Sequence, residues 1–232
     1  MSLNQFEAFI TQLQTESIFV IDPSFSKTDY VLLDLSKNNE ALKTVNVSSS
    51  HNLGVYIDQH IKNKNGKVAC GGYLETRGIY QRSGYFNAKA NPLDERNIHL
   101  GIDIWIDEGT NVLAALDGEI HSFNNNVNHG DYGPTIILKH EVGDLIFYTL
   151  YGHLSIASLS GLKVGQNIKQ GAVIGKLGSP KENGDYSPHL HFQVILDIEK
   201  YLGDYPGVSS INRLGFYKNN CPNPNFILGL KG

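Results

Sequence analysis

The sequence predicts a mainly β protein: an antiparallel β domain over residues 93–200, preceded by an α/β extension, residues 1–92. From Ile98 onward, short β-rich runs alternate with Gly, Asn and Asp punctuation at a spacing that suits a compact antiparallel domain. Before residue 92 helical and strand-like periods are mixed. After residue 200, Gly, Pro and Asn accumulate, which implies a loop-rich tail, residues 201–232, packed on the β domain.

Taken in order, Phe6, Phe9, Ile10 and Leu13 stand at helical spacing and predict an amphipathic helix within residues 3–16. Ser17–Ile21 and Tyr30–Leu35 read as strands, the first ending at Asp22-Pro23. Residues 48–52 read as a loop into a helix near Gly54–Ile61, and Lys67–Leu74 as a further strand. In the β domain the runs are Ile98–Ile106, Gly118–Phe123, Thr135–His140, Leu145–Tyr151, Ala172–Lys176 and Leu190–Leu196. Cys221-Pro222-Asn223-Pro224 is expected to cross the surface.

Composition narrows the function. The 232 residues are 41% hydrophobic and 18% charged, enough for one large domain, or one domain and an extension. A net charge of −4 supplies no basic field for nucleic acid or an anionic membrane. No apolar run approaches the ~20 residues of a membrane span. The N-terminus lacks the basic region and apolar core of a secretory signal, which favours a cytoplasmic protein unless a leader has been removed. Cys70 and Cys221 lack CxxC spacing and read as structural thiols.

Four of the nine histidines, with one aspartate, stand in informative contexts. In residues 98–106 every second residue is a large aliphatic: Ile98, Leu100, Ile102, Ile104 and Ile106 are expected to face a core, and His99, Gly101, Asp103 and Trp105 the other side. A straight strand separates His99 and Asp103 by ~13 Å, too far for one metal ion bound at ~2 Å. A bend or bulge at Gly101 would bring them together, with His99 in the incoming loop and Asp103 near the strand start. In residues 188–194 the same alternation puts His189 and His191 on one face, and Tyr148–Gly152 reads as a strand delivering His153. Two imidazoles and a carboxylate make a catalytic zinc set with an open position for water. His51, His60, His121, His129 and His140 have no such partners and are expected at the surface or in loops.

His99-Leu100-Gly101-Ile102-Asp103, Tyr151-Gly152-His153-Leu154 and His189-Leu190-His191-Phe192 resemble, in that order, the motifs of the lysostaphin-like, LytM-type zinc metallopeptidases. Ala114–Ile120 and Val164–Ile168, with Gly171, Ile174 and Gly175, extend the likeness over residues 95–197. The resemblance implies a two-sheet antiparallel β domain with an open groove. It also implies Zn²⁺ held by His99, Asp103 and His191, with His153 and His189 catalytic. The implied activity is hydrolysis, through a zinc-activated water, of peptide bonds in peptidoglycan or a similar small-residue peptide. Flanking residues 71–75 and 130–134 resemble a branch found in larger cytoplasmic chains, which admits an intracellular amide hydrolase instead. A second reading is a non-hydrolytic or latent zinc-binding regulatory module, with the extension over the groove and Glu75 or Asn87 as candidate fourth ligands. Tyr151 is a candidate for the rim of the site, though packing suits it better. A third reading, a phosphocarrier, rests on lipoyl-like turns at residues 115–120 and 162–175, but gives Asp103 no role.

Overall fold

A capping box starts the first helix. The Gln5 N–H donates to the Ser2 hydroxyl at 3.3 Å, and the Ser2 N–H donates to the Gln5 side chain at 2.9 Å, so α1 runs Leu3–Gln12. Its apolar stripe is buried, with the Phe6 and Phe9 rings 5.4 and 5.8 Å from Phe147. The structure, a computed structural model, describes residues 2–13, 18–87 and 91–230; the end of the expected helix and the start of the expected strand Ser17–Ile21 fall outside them. What is described of that strand is a correction. Ile18, Val20 and Ile21 fill the core, but only Ile21 makes a bridge, to Val112.

In chain order the next elements are β1 (Tyr30–Leu32), α2 (Ser50–Asn63) and β2 (Val68–Gly71). Ser49 caps α2 by accepting the Asn52 N–H, so residues 50–52, expected in a loop, form its first turn. Then come β3 (Ile98–His99), β4 (Ile102–Trp105), β5 (Asn111–Leu113), β6 (Gly118–Asn126), β7 (Gly133–Val142), β8 (Leu145–Gly152), β9 (Asn167–Ile168), β10 (Val173–Lys176), β11 (His189–Ile195) and β12 (Val208–Ser209). Two short helices follow, α3 (Leu214–Asn220) and α4 (Asn225–Leu228), where loops were expected.

Eight strands form one sheet in the order β1-β2-β4-β11-β8-β7-β6-β9, while β5 pairs with β10 and β3 with β12. Only β1 and β2 run parallel; the other ladders among the described residues are antiparallel, so the fold is mainly β as expected. Residues of the extension continue the sheet: Ala69, Cys70 and Gly71 pair with Trp105, Ile104 and Asp103.

The alternation read from the sequence places Ile102, Ile104, Leu190, Phe192 and Val194 in the main core with α1. Leu100 departs from it and packs with Tyr132, Leu150 and Tyr205 in a second cluster. The ladder breaks between β3 and β4, so the alternation does not run through from Ile98 to Ile106.

Two further residues sit deeper than expected. Cys221 is fully buried rather than on a surface crossing, and its N–H donates to the Tyr217 carbonyl at 2.7 Å. Cys70 is buried as well, and both thiols are free. His140 is fully buried in β7, between the Asp117 carbonyl (2.8 Å) and the Thr149 hydroxyl (2.7 Å), and stacks on Phe147. Two polar partners replace the water that a surface histidine would use.

Burial pushes the His140 imidazole down to about 4 from its ordinary 6.5. Between those values the unfolded chain binds a proton that the folded chain does not, so stability rises with pH there. His140 is therefore expected to remove up to ~3 kcal/mol as pH falls from 6.5 towards 4. His140→Gln should start less stable at pH 7 and lose less over that window, as read by denaturant unfolding at stepped pH.

Candidate active site

The register of β4 against β11 sets the frame. Asp103 pairs directly with His191, and Trp105 with His189. His99 reaches the same place because β3 leaves the main sheet and pairs with β12 instead. The chain does bend at Gly101, between the two strands. The glycine is needed there for space: a Cβ would lie 2.6 Å from Cε1 and Nε2 of His191 and 2.8 Å from the Phe192 carbonyl oxygen. His99 sits on a two-residue strand rather than in a loop, and Asp103 is the second residue of its strand.

Three donor atoms converge. His99 Nε2 is 2.8 Å from His191 Nδ1, Asp103 Oδ1 is 3.2 Å from the former and 3.1 Å from the latter, and all three residues are buried. The other ring nitrogens decide what these atoms are. His99 Nδ1–H donates to the Gly72 carbonyl at 2.9 Å, and His191 Nε2–H donates to Gln193 Oε1 at 2.9 Å. Both inward nitrogens are thereby lone pairs, directed with a carboxylate oxygen at one point. The edges of a tetrahedron with bonds of 2.0–2.1 Å are ~3.3 Å, so the group fits a small divalent cation. Burial first, then Arg77, pushes the His99 imidazole down to about 3, keeping it neutral. Burial opposes ionisation of Asp103, yet the charged Arg77 guanidinium beside it holds its carboxyl well below the usual range.

His153 and His189 lie beside this group, their rings 4.2 Å apart. Each donates its Nδ1–H to a backbone carbonyl at 2.8 Å, of Asn183 and Ser187 respectively, which leaves Nε2 as an acceptor. Burial lowers the pKa of both. His189 stacks on Trp105 at 5.8 Å, and its Nε2 is 3.8 Å from Asp103 Oδ1. His153 follows the end of β8 in the left-handed region, with φ of 63°. Its N–H donates to the Tyr132 carbonyl at 2.9 Å, and its carbonyl accepts from Gly178 at 2.9 Å. A non-glycine residue held there costs roughly 1–3 kcal/mol, and these bonds hold it.

The structure thus gathers the five expected residues and separates the others. Glu75 is not an exposed surface residue: its carboxylate accepts from Arg77 Nε at 2.5 Å and from the Leu35 N–H at 2.9 Å, without joining the group. Asn87 is exposed and donates to the Gln81 carbonyl. Tyr151 is fully buried under the sheet, its hydroxyl accepting the Ala115 N–H. Residues not foreseen include Gln193, Tyr132 and Arg77, while Trp105, expected on the face of Asp103, also takes a part by stacking on His189. Gln193 continues the face of His189 and His191 one more pleat, so the same alternation pointed to it. Arg77 has no such signal, being joined to Asp103 only through folding, with Nη1 donating to Oδ2 at 2.5 Å.

The site is less open than the groove that the resemblance implies. His99, Asp103, His153, His189 and His191 are 1–5% exposed and border a cavity of about 150 Å³. Tyr80 and Phe86 of the extension and Tyr205 of the tail line it too, with Asp131, Asp204 and Arg96.

A mainly antiparallel β fold with a buried His-Asp-His group and two adjoining imidazoles has the form of a metallohydrolase. The profile of Peptidase family M23 matches residues 97–201, and over that segment the chain resembles the lysostaphin-like, LytM-type metallopeptidases. It is 34% identical over 129 residues to the DD-carboxypeptidase/endopeptidase Mpg of Neisseria meningitidis serogroup B, covering 55% of this chain and 27% of that protein. It is 29% identical over 150 residues to the peptidoglycan DD-endopeptidase ShyC of Vibrio cholerae, covering 63% and 31%. The catalytic domain of lysostaphin from Staphylococcus simulans is 28% identical, with 53% of this chain and 81% of that one covered and a TM-score of 0.37. The chain spans about a quarter to a third of the length of these two curated relatives. No helix among the described residues is long and apolar enough to cross a membrane.

Gly101→Ala should push the His191 ring out of line with His99 and Asp103. The expected result is a tenfold or greater loss of metal affinity, measured by competition with a chromophoric chelator.

Proposed function

We propose that residues 93–200 form the catalytic domain of a zinc-dependent metalloendopeptidase that cleaves peptide bonds of peptidoglycan or a similar small-residue peptide. In this reading residues 1–92 are an extension that closes one side of the site, and residues 201–232 a tail packed on the domain. The observation that carries it is the convergence of His99 Nε2, His191 Nδ1 and Asp103 Oδ1, with the Nε2 atoms of His153 and His189 alongside. The names of the relatives, a DD-carboxypeptidase/endopeptidase and a peptidoglycan DD-endopeptidase, support the substrate.

His99, Asp103 and His191 would hold the ion, their tautomers set by Gly72 and Gln193. Zinc bound there would acidify a water and polarise the scissile carbonyl. The chain's own part is proton transfer. A water proton passes to Nε2 of His153 or His189 as oxygen bonds to the carbonyl carbon. As the C–N bond breaks, the imidazolium so formed returns the proton to the leaving amine. Trp105 holds the His189 ring by stacking, and the buried setting strengthens each polar contact.

His99→Ala and Asp103→Ala are expected to abolish stoichiometric zinc by elemental analysis; full occupancy in both would sink the ligand assignment. His153→Ala and His189→Ala should keep zinc and lose roughly 10²-fold or more in peptidoglycan digestion. Zinc without wall cleavage by the unaltered chain would point instead to an intracellular peptide or amide substrate.

The burial of all five residues favours a second reading, latency. Deleting residues 1–90 is a poor test, because it strips β2 from β4 and removes Arg77. Phe86→Ala opens the cavity with the sheet intact. Latency predicts a several-fold rise in activity in this variant, and unchanged or lower activity in the folded variant would count against it.

A further inference from the structure

Arg77 lies before residue 97, where the family match begins. The extension is locked to β3 around it: Leu74 N–H donates to the His99 carbonyl at 2.9 Å, His99 N–H to Glu75 at 2.9 Å, and Arg77 N–H to Asn97 at 2.8 Å. The Arg77 side chain is 4% exposed and joins two carboxylates, Nη1 to Asp103 Oδ2 and Nε to Glu75 Oε2, each at 2.5 Å. Its guanidinium carbon stands 5.6 Å from the centre of the Trp105 ring, the ring on which His189 stacks. Gly72 makes room for it, since a Cβ there would meet Nη2 at 1.9 Å.

A free carboxylate can offer a cation either oxygen or both. Here the oxygens are divided: Oδ1 faces His99 Nε2, His191 Nδ1 and His189 Nε2, while Oδ2 belongs to Arg77. The planar guanidinium is itself anchored by Glu75, so its Nη1 is held in place against Oδ2 of Asp103. We propose that Arg77 is a positioning residue of the metal centre, fixing Asp103 as a one-oxygen ligand so that the remaining coordination position stays open. The inference rests on the reading that His99, Asp103 and His191 bind a metal. It makes the extension part of the centre rather than only its cover.

The test compares the full chain with two variants. Arg77→Lys keeps a positive charge without the planar fork. The double variant Glu75→Gln/Arg77→Met removes both charges together, leaving no unpaired buried carboxylate from Glu75. Metal affinity is read by chelator competition, and coordination from the d–d absorption of the cobalt(II)-loaded protein, intense when four-coordinate and weaker at higher coordination. The unaltered chain should give the intense spectrum. Both variants should lose affinity, by roughly 10–100-fold in the double variant, and shift towards the weaker spectrum. A folded variant of either kind with unaltered affinity and spectrum overturns the role of Arg77. An unaltered chain that takes up no stoichiometric metal overturns the metal reading instead.

Discussion

A carboxylate taken out of water has to be satisfied on every side, and Asp103 is where the parts of this molecule meet to do so. It is 1% exposed, at the centre of β4, with imidazoles facing one oxygen and a guanidinium on the other. Leaving it unpaired would cost several kcal/mol. Each partner comes from a different place in the chain: His191 from the neighbouring strand, His99 from beyond a break, and Arg77 from the extension. The core on the far face of β4 and β11, with Ile102, Ile104, Leu190 and Phe192, holds the register that makes this meeting possible.

The break at Gly101 shows how a backbone feature and a side-chain requirement can share one residue. Distance alone required the chain to bend between His99 and Asp103. The structure adds that the bend brings the backbone so close to the His191 ring that no side chain fits. The same break sends Leu100 into a different core cluster from Ile102. Site geometry and core partition are therefore one decision of the chain.

What could be read in advance follows from range. Period-two alternation exposed β4, β8 and β11 and the faces of Asp103, His189 and His191, because burial on one side of a sheet writes itself into adjacent residues. Strands of two or three residues, such as β5, β9 and β12, carry too few positions to show a period. His140 misled because imidazole suits surface and core equally, and only tertiary partners, here Asp117 and Thr149, decide between them. Arg77 was invisible for the same reason: its partner Asp103 lies 26 residues away, and no local pattern marks a long-range ion pair.

The tautomers carry the chemistry one step further than the list of ligands. An imidazole can offer a lone pair from either nitrogen, and each of the four here is committed by a specific acceptor: Gly72, Gln193, Asn183 and Ser187. Three of those acceptors are backbone carbonyls, so the commitment is made by the fold and survives side-chain change. The exception is Gln193, whose amide is itself tied to the Pro206 carbonyl. His191 thus depends on the tail as well as on its own strand, and His99 on the glycine turn of the extension. A centre assembled this way draws its three donor atoms from residues 99–191, while the tautomers of His99 and His191 are set from outside that span, by Gly72 on one side and Gln193 on the other.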